Sequence, residues 1–122
     1  MSKQHSIRIK SIYCGGTSGD KGTSSDELYL VCQSDAGIPV RVPAGFNKSY
    51  SMQKGKTWEL DLVLGFDYEV LVTLWDHDLP FDPNTANYLQ SHDFVAGSGS
   101  GSTKPLKNLD GAEYTINFTY ID

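Results

Sequence analysis

Six aspartates are the residues of this chain best suited to chemistry. Asp20 and Asp26 lie in GDKGTSSDELYLVC, Asp76, Asp78 and Asp82 in VLVTLWDHDLPFDPN, and Asp93 in SHDFVAG. Asp76 and Asp78 stand two apart where a strongly apolar alternating segment ends. That spacing lets both carboxylates point the same way, with His77 pointing away. Carboxylates held together repel one another, and their pKa values rise unless something neutralises them. A hard divalent cation does this best, and calcium takes roughly 6–8 oxygen ligands from carboxylates, carbonyls and water in a flexible shell. One D-x-D is a weak signal, because loops carry Asp for turns and solubility. Two acidic segments flanking the right strands are a stronger one.

The elements that must position these groups read as strands. Ile7, Ile9, Ile12 and Cys14 alternate with one break that fits a bulge. Leu28, Leu30 and Cys32 follow, then Ile38, Val40 and Val42 before Pro43. Trp58, Leu60 and Leu62 alternate with Glu59, Asp61 and Val63. Tyr68, Val70, Val72 and Leu74 make the strongest strand, with Leu71 and Trp75 on its other face, and Tyr114, Ile116, Phe118 and Tyr120 make the last. Weak strands near residues 47–52 and 94–102 bring the number to about eight, within the usual range for a sandwich. The Gly/Ser run GSGSGST over 97–103 is read as an edge strand or an ordered loop. If consecutive strands run antiparallel, the segments holding Asp20/Asp26 and Asp76/Asp78 come to one end. No segment keeps a helical period, so the expectation is an all-β antiparallel sandwich forming a single domain over 1–122.

Composition narrows the function classes. The chain has 122 residues, 39% apolar and 20% charged, enough for one packed core without a disulfide or structural metal. Fifteen acidic against ten basic residues leave a net charge of −5, so no nucleic-acid partner is expected. The N-terminus MSKQHSIRIKSIYC carries no apolar central region, which predicts a cytoplasmic protein. Cys14 and Cys32 are expected to stay reduced, and neither has a neighbouring His to make it a nucleophile. His5, His77 and His92 have no zinc-ligand spacing. GGTSGDKGTS is not followed by a helix that would hold a phosphate.

GDKGTSSDELYLVC resembles the first calcium loop of C2 domains, where an Asp, a Gly-containing stretch and a second Asp lead into a strand opening on a Pro-Tyr-Val pattern. LVTLWDHD resembles the third calcium loop of that family, and HDFVAG its closing Asp-x-Ile-Gly. The likeness runs over residues 6–121, with Glu27 in place of the family's Pro and a longer third loop through PFDPNTANYLQS. The resemblance implies a C2-like eight-stranded antiparallel β-sandwich, with Asp20, Asp26, Asp76, Asp78 and Asp93 as calcium ligands. The fifth place stays open between Asp93, which fits the motif context, and Asp82, which lies nearer. The resemblance further implies that more than one calcium binds and that the ions bridge to anionic lipid headgroups.

Leu79, Pro80 and Phe81 follow the D-x-D pair directly. On a loop tip, Leu79 and Phe81 would enter the lipid interface, contributing roughly 1.5–3 kcal/mol each if fully withdrawn from water. The alternative is a loop folded back over them with Tyr88 and Leu89. Lys48, Lys54 and Lys56 surround the fourth strand and are candidates for headgroup contact, each adding about 1 kcal/mol near an anionic surface. Beside Glu59 and Asp61 they read first as solvating charges. The expectation is a monomeric, non-enzymatic calcium-binding module that associates peripherally with anionic phospholipid membranes. The alternative is a calcium-assisted carbohydrate- or protein-recognition module on the same sandwich, lectin-like or part of a toxin or interaction protein. Asn84, Asn87, Phe81, Tyr88 and Trp75 would then supply the contacts.

Overall fold

Alternation of apolar and polar residues sends this chain into strands. The computed structural model describes residues 3–17, 25–45, 48–79, 82–103 and 112–121, with 25, 78, 79 and 82–87 placed by their backbone. Nine strands are present among the described residues: β1 His5–Gly16, β2 Ser25–Ser34, β3 Val40–Val42, β4 Tyr50–Gln53, β5 Thr57–Phe66, β6 Glu69–Leu79, β7 Asp82–Val95, β8 Ser100–Ser102 and β9 Glu113–Tyr120. One sheet has the order β5-β1-β9-β8; the other has β3-β2-β6-β7, with β4 also paired to β2. Every pairing is antiparallel.

The inner faces of the two sheets make the core. Ile7, Ile9, Ile12 and Cys14 of β1 and Tyr114 and Ile116 of β9 are fully buried against Leu28 and Leu30 of β2 and Val70, Val72 and Leu74 of β6. The expected break in β1 is a register shift between Ile9 and Ser11, occurring toward both β5 and β9. Toward β9 Lys10 is the extra residue, whereas toward β5 the longer strand is β5, with Leu60 and Asp61 opposite Lys10; the inward positions of β1 move from odd to even numbers. Tyr50 of β4 stacks on Trp58 of β5 with ring centroids 4.8 Å apart, tying the two sheets together along one side. Phe94, Phe118 and Tyr120 form an edge-to-face chain on the other.

Two expectations are corrected. The residues expected as a long third loop are mostly strand: β7 begins at Asp82 and pairs with β6 from Leu79 back to Glu69. A 14-residue strand carrying Pro83, Asn84 and Asn87 sits at a sheet edge, where weak strand formers are tolerated. The segment 94–102 is accordingly not one strand; its start closes β7 and its end is the short β8. Consecutive β1 and β2 lie in different sheets. Cys14 and Cys32 are both buried free thiols, and burial pushes the Cys32 thiol up to about 11.

The end opposite the expected site is fastened by Asp35, in the left-handed region at φ 54 where Asp is tolerated. Its carboxylate accepts the backbone N–H groups of Asp67, Tyr68 and Glu69 at 2.7–3.0 Å and the Lys3 ammonium at 3.0 Å. These bonds hold its pKa well below the usual carboxylate range, the Asp67 N–H contributing most. Glu69 is shifted upward, first by its hydrogen bond with Asp93.

A depressed carboxyl pKa stabilises the fold fully above the unfolded value and is lost as pH falls through the folded one. The urea midpoint is therefore expected to drop between about pH 5 and about pH 2, and to drop less in Asp35→Asn. Glu69 acts in the opposite sense, so the readout is the difference between the two proteins. In the core, Leu30→Ala is expected to cost about 2–5 kcal/mol in the same assay.

Candidate functional site

The antiparallel pairing of β2 with β6 puts the start of one beside the end of the other, with Leu28 opposite Asp76. Alternation places Asp26 on the inward row with Leu28 and Leu30, and Asp76 on the inward row with Val70, Val72 and Leu74. Asp26 is fully buried and Asp76 nearly so. The backbone of Asp78 follows at the end of β6, and Asp82 opens β7 directly opposite Leu79. One end of the sandwich thus gathers Asp26 and Asp76 with the chain positions of Asp78 and Asp82. Asp20 and Phe81 lie outside the described residues. Among the described residues, no group of three or more His, Cys, Asp or Glu side chains converges as a metal site.

Asp93 is not brought to this end. It pairs with Leu71, five positions back along β6 from Asp76, which is roughly 16 Å at the rise of a strand. Its hydrogen-bond partner is Glu69, near Asp35. The motif context around HDFVAG misled because β7 carries Asp93 down the whole length of the sheet. The reserve candidate, Asp82, is the one whose backbone reaches the acidic end.

Both buried carboxylates are oriented by specific donors. The Tyr114 hydroxyl donates to Asp26 Oδ2 at 2.5 Å, and the Glu27 N–H donates to Asp76 Oδ1 at 2.8 Å. Burial, followed by the bond to Asp26, pushes the Tyr114 phenol far upward, so it remains a donor. Burial also raises the Cys14 thiol, which lies against Tyr114. The Gln90 amide donates to the Tyr114 carbonyl oxygen at 3.1 Å, anchoring β9 to β7 behind the site. These bonds orient both acids.

The flanking candidates divide. Leu79 is placed by its backbone beside Asp82. Lys48 and Lys54 are exposed; the Lys56 ammonium donates to the Ser51 carbonyl oxygen at 2.8 Å and lies 4.7 Å from the Tyr50 ring centroid. Lys54 and Lys56 bracket the turn from β4 to β5, and Gly55 in that turn, at φ 90, donates its N–H to the Cys14 carbonyl oxygen at 2.7 Å. That bond ties the turn to the end of β1, on the acidic end of the sandwich. The three histidines do not assemble: His77 lies edge-on to Tyr29, His92 contacts Gln90 and His5 packs on Phe66 at the far end.

Sequence reasoning missed the part played by Tyr114, and it named Trp75 and Tyr88 without Tyr29 and Arg41 beside them. Tyr114 was legible only as a core residue of the last strand, because nothing near it in the chain points to Asp26, 88 positions away. On the outer face of the other sheet, Tyr29, Trp75 and Tyr88 are register partners across β2, β6 and β7. Tyr29 stacks on Trp75 at 6.4 Å, Tyr88 meets Trp75 edge-on at 5.6 Å, and the Arg41 guanidinium caps Tyr29 at 3.9 Å. Removing the donor to Asp26 tests the site's support: Tyr114→Phe is expected to lower unfolding free energy by about 1.5–3 kcal/mol, the value of a hydrogen bond to a charged group. Urea denaturation in chelator is the check.

No family model matches the chain, and no curated protein does. Its structural neighbours are specific nonetheless. A solved structure described as that of a C2 domain superimposes with a TM-score of 0.60 at 8% identity, covering 98% of this chain and 100% of the other. Human GIVD cytosolic phospholipase A2 matches with TM-scores of 0.57, in complex with methyl gamma-linolenyl fluorophosphonate and terbium chloride, and 0.58, each at 9% identity. This chain covers 98% of itself in both matches but only 18% and 17% of the phospholipase chains. Two antiparallel sheets, this strand order and these neighbours together make the fold of the chain C2-like.

Proposed function

We propose that the chain is a calcium-binding module that attaches to anionic phospholipid through the end where β1 leads into β2 and β6 into β7. The carrying observation is the placement of Asp26 and Asp76 on inward rows of neighbouring strands at one end of a C2-like sandwich. Asp26, Asp76, Asp20, Asp78 and Asp82 would hold the ion. Bound calcium supplies positive charge that offsets the carboxylates and draws anionic headgroups. The protein's own residues do the positioning: Tyr114 orients Asp26, and the Glu27 N–H orients Asp76. Leu79 and Phe81 enter the interface beside the ion, and Lys54 and Lys56, with Lys48, face headgroups from the rim.

Among the described residues no helix is long and apolar enough to cross a membrane, and the reading needs only peripheral attachment from the cytoplasmic side. A binding role is supported by the C2-domain neighbour, which the chain covers in full, while only under a fifth of the phospholipase chains is matched. A second reading, recognition of a sugar or protein partner, draws on the contact between Trp75 and Tyr88, with Tyr88 52% exposed.

Calcium bound only to the native state stabilises it by about 2.7 kcal/mol at a hundredfold excess over Kd. At this chain length that is a rise in melting temperature of about 10 °C. Magnesium should do much less, because it demands tight octahedral geometry. Asp76→Asn with Asp78→Asn is expected to lose most of the shift while melting, in chelator, no lower than wild type. Phosphatidylserine vesicles should sediment the protein with calcium and not with chelator, and Leu79→Ser with Phe81→Ser should weaken this without changing calcium affinity. Equal melting in chelator and in millimolar calcium would overturn the calcium site.

A further inference from the structure

The outer face of the β5-β1-β9-β8 sheet carries an open groove of about 510 Å³, lined by Lys10, Ser11, Glu59, Ser100, Ser102 and Asn117 together with the backbone between the two β8 serines. Its residues are ordered by register. Ser11 pairs with Glu59 on one side and Asn117 on the other, and Asn117 pairs with Ser102. Glu59, Ser11, Asn117 and Ser102 therefore form one rank straight across four strands, about 14 Å long at the usual strand spacing. The extra residue of β1, Lys10, sits beside that rank, where the bulge interrupts the flat surface.

The rank is bonded together. Ser102 Oγ donates to Asn117 Oδ1 at 2.5 Å, and Asn117 Nδ2 donates to Ser11 Oγ at 3.1 Å. Beside it, Ser100 Oγ donates to Thr119 Oγ1 at 2.8 Å. Ser11 is 8% exposed, which anchors the middle of the rank in the sheet. Fixed rotamers lower the ordering cost of binding. Each hydroxyl keeps acceptor capacity after donating, and the Asn117 amide keeps a second N–H.

We infer that this groove binds a neutral, polyhydroxylated ligand, of which a short oligosaccharide is the class. Its volume falls within the roughly 300–1,000 Å³ of small-ligand sites. Among the described residues no apolar side chain lines it, which disfavours a lipid tail or drug-like ligand. Lys10 and Glu59 contribute opposite charges, which disfavours a simple anion or cation. A row of alternating hydroxyl, amide and carboxylate groups complements vicinal hydroxyls. The Gly/Ser run, unexplained by the acidic end, has a role here: β8 contributes only Ser100, Gly101 and Ser102 and leaves the groove open at the sheet edge.

The test uses the full chain, labelled with ¹⁵N and kept in chelator so that it is independent of calcium. Maltotriose, cellotriose and triacetylchitotriose are titrated separately to millimolar levels while amide spectra are recorded. Saturable shifts confined to Ser11, Glu59, Ser102, Asn117 and their neighbours are expected with at least one trisaccharide. Asn117→Ala, and separately the edge variant Ser102→Ala, should weaken that response by about tenfold or more, with the rest of the spectrum unchanged. No saturable shift with any of the three probes, or an undiminished response in both folded variants, overturns the proposal.

Discussion

The ladder between β2 and β6 is the constraint on which the rest depends. Residues from Leu28 to Ser34 pair in unbroken register with Asp76 back to Val70. That register decides which side chains enter the core, and it also brings two distant acidic segments to one end. Slipping it by one residue would turn Asp26 and Asp76 outward and Tyr29 and Trp75 inward. The burial of Leu28, Leu30, Val70, Val72 and Leu74 is what forbids the slip. Packing energy thereby fixes the position of groups that contribute nothing favourable to packing themselves.

The buried acids show how such groups are tolerated. An isolated buried carboxylate is costly, and strong hydrogen bonds offset part of that cost. Asp26 receives a phenol from the other sheet, and Asp76 a backbone N–H from the neighbouring strand. The first bond crosses the interior and couples the acidic end to β9. Asp35 uses the same chemistry at the far end, drawing on backbone N–H groups of the chain between β5 and β6. The two ends are thus built alike, yet one fastens a turn while the other faces the sequence elements that resemble a calcium loop.

Much of this was legible in the sequence because strand alternation survives in the residues themselves. Ile7, Ile9, Ile12 and Cys14 disclosed a strand and its bulge, and Val70, Val72 and Leu74 disclosed the strongest strand, which the fold pairs with β2. Antiparallel succession is enough to make the two acidic segments candidates for one end, but it does not give the direct pairing of β2 with β6. What failed was β7, whose Asp, Pro and Asn residues describe a loop by propensity while pairing along β6 holds them extended. The error propagated to Asp93, because a residue placed on a short loop stays near its neighbours whereas one on a strand travels with it. The bond from Tyr114 to Asp26 and the rank from Glu59 to Ser102 lie between strands distant in sequence, and no local pattern announces them.

Lys10 has a reach out of proportion to its size. Before it, odd-numbered residues of β1 face inward; after it, even-numbered ones do. Both neighbouring strands keep even-numbered residues inward throughout, so only β1 changes phase: across the break β9 runs one residue shorter than β1 and β5 one residue longer. In most strands a one-residue length change is ruinous, because it inverts every side chain beyond it. Here such a change is already part of the architecture, and it is what turns Cys14 toward Tyr114 and Ser11 toward the outer face.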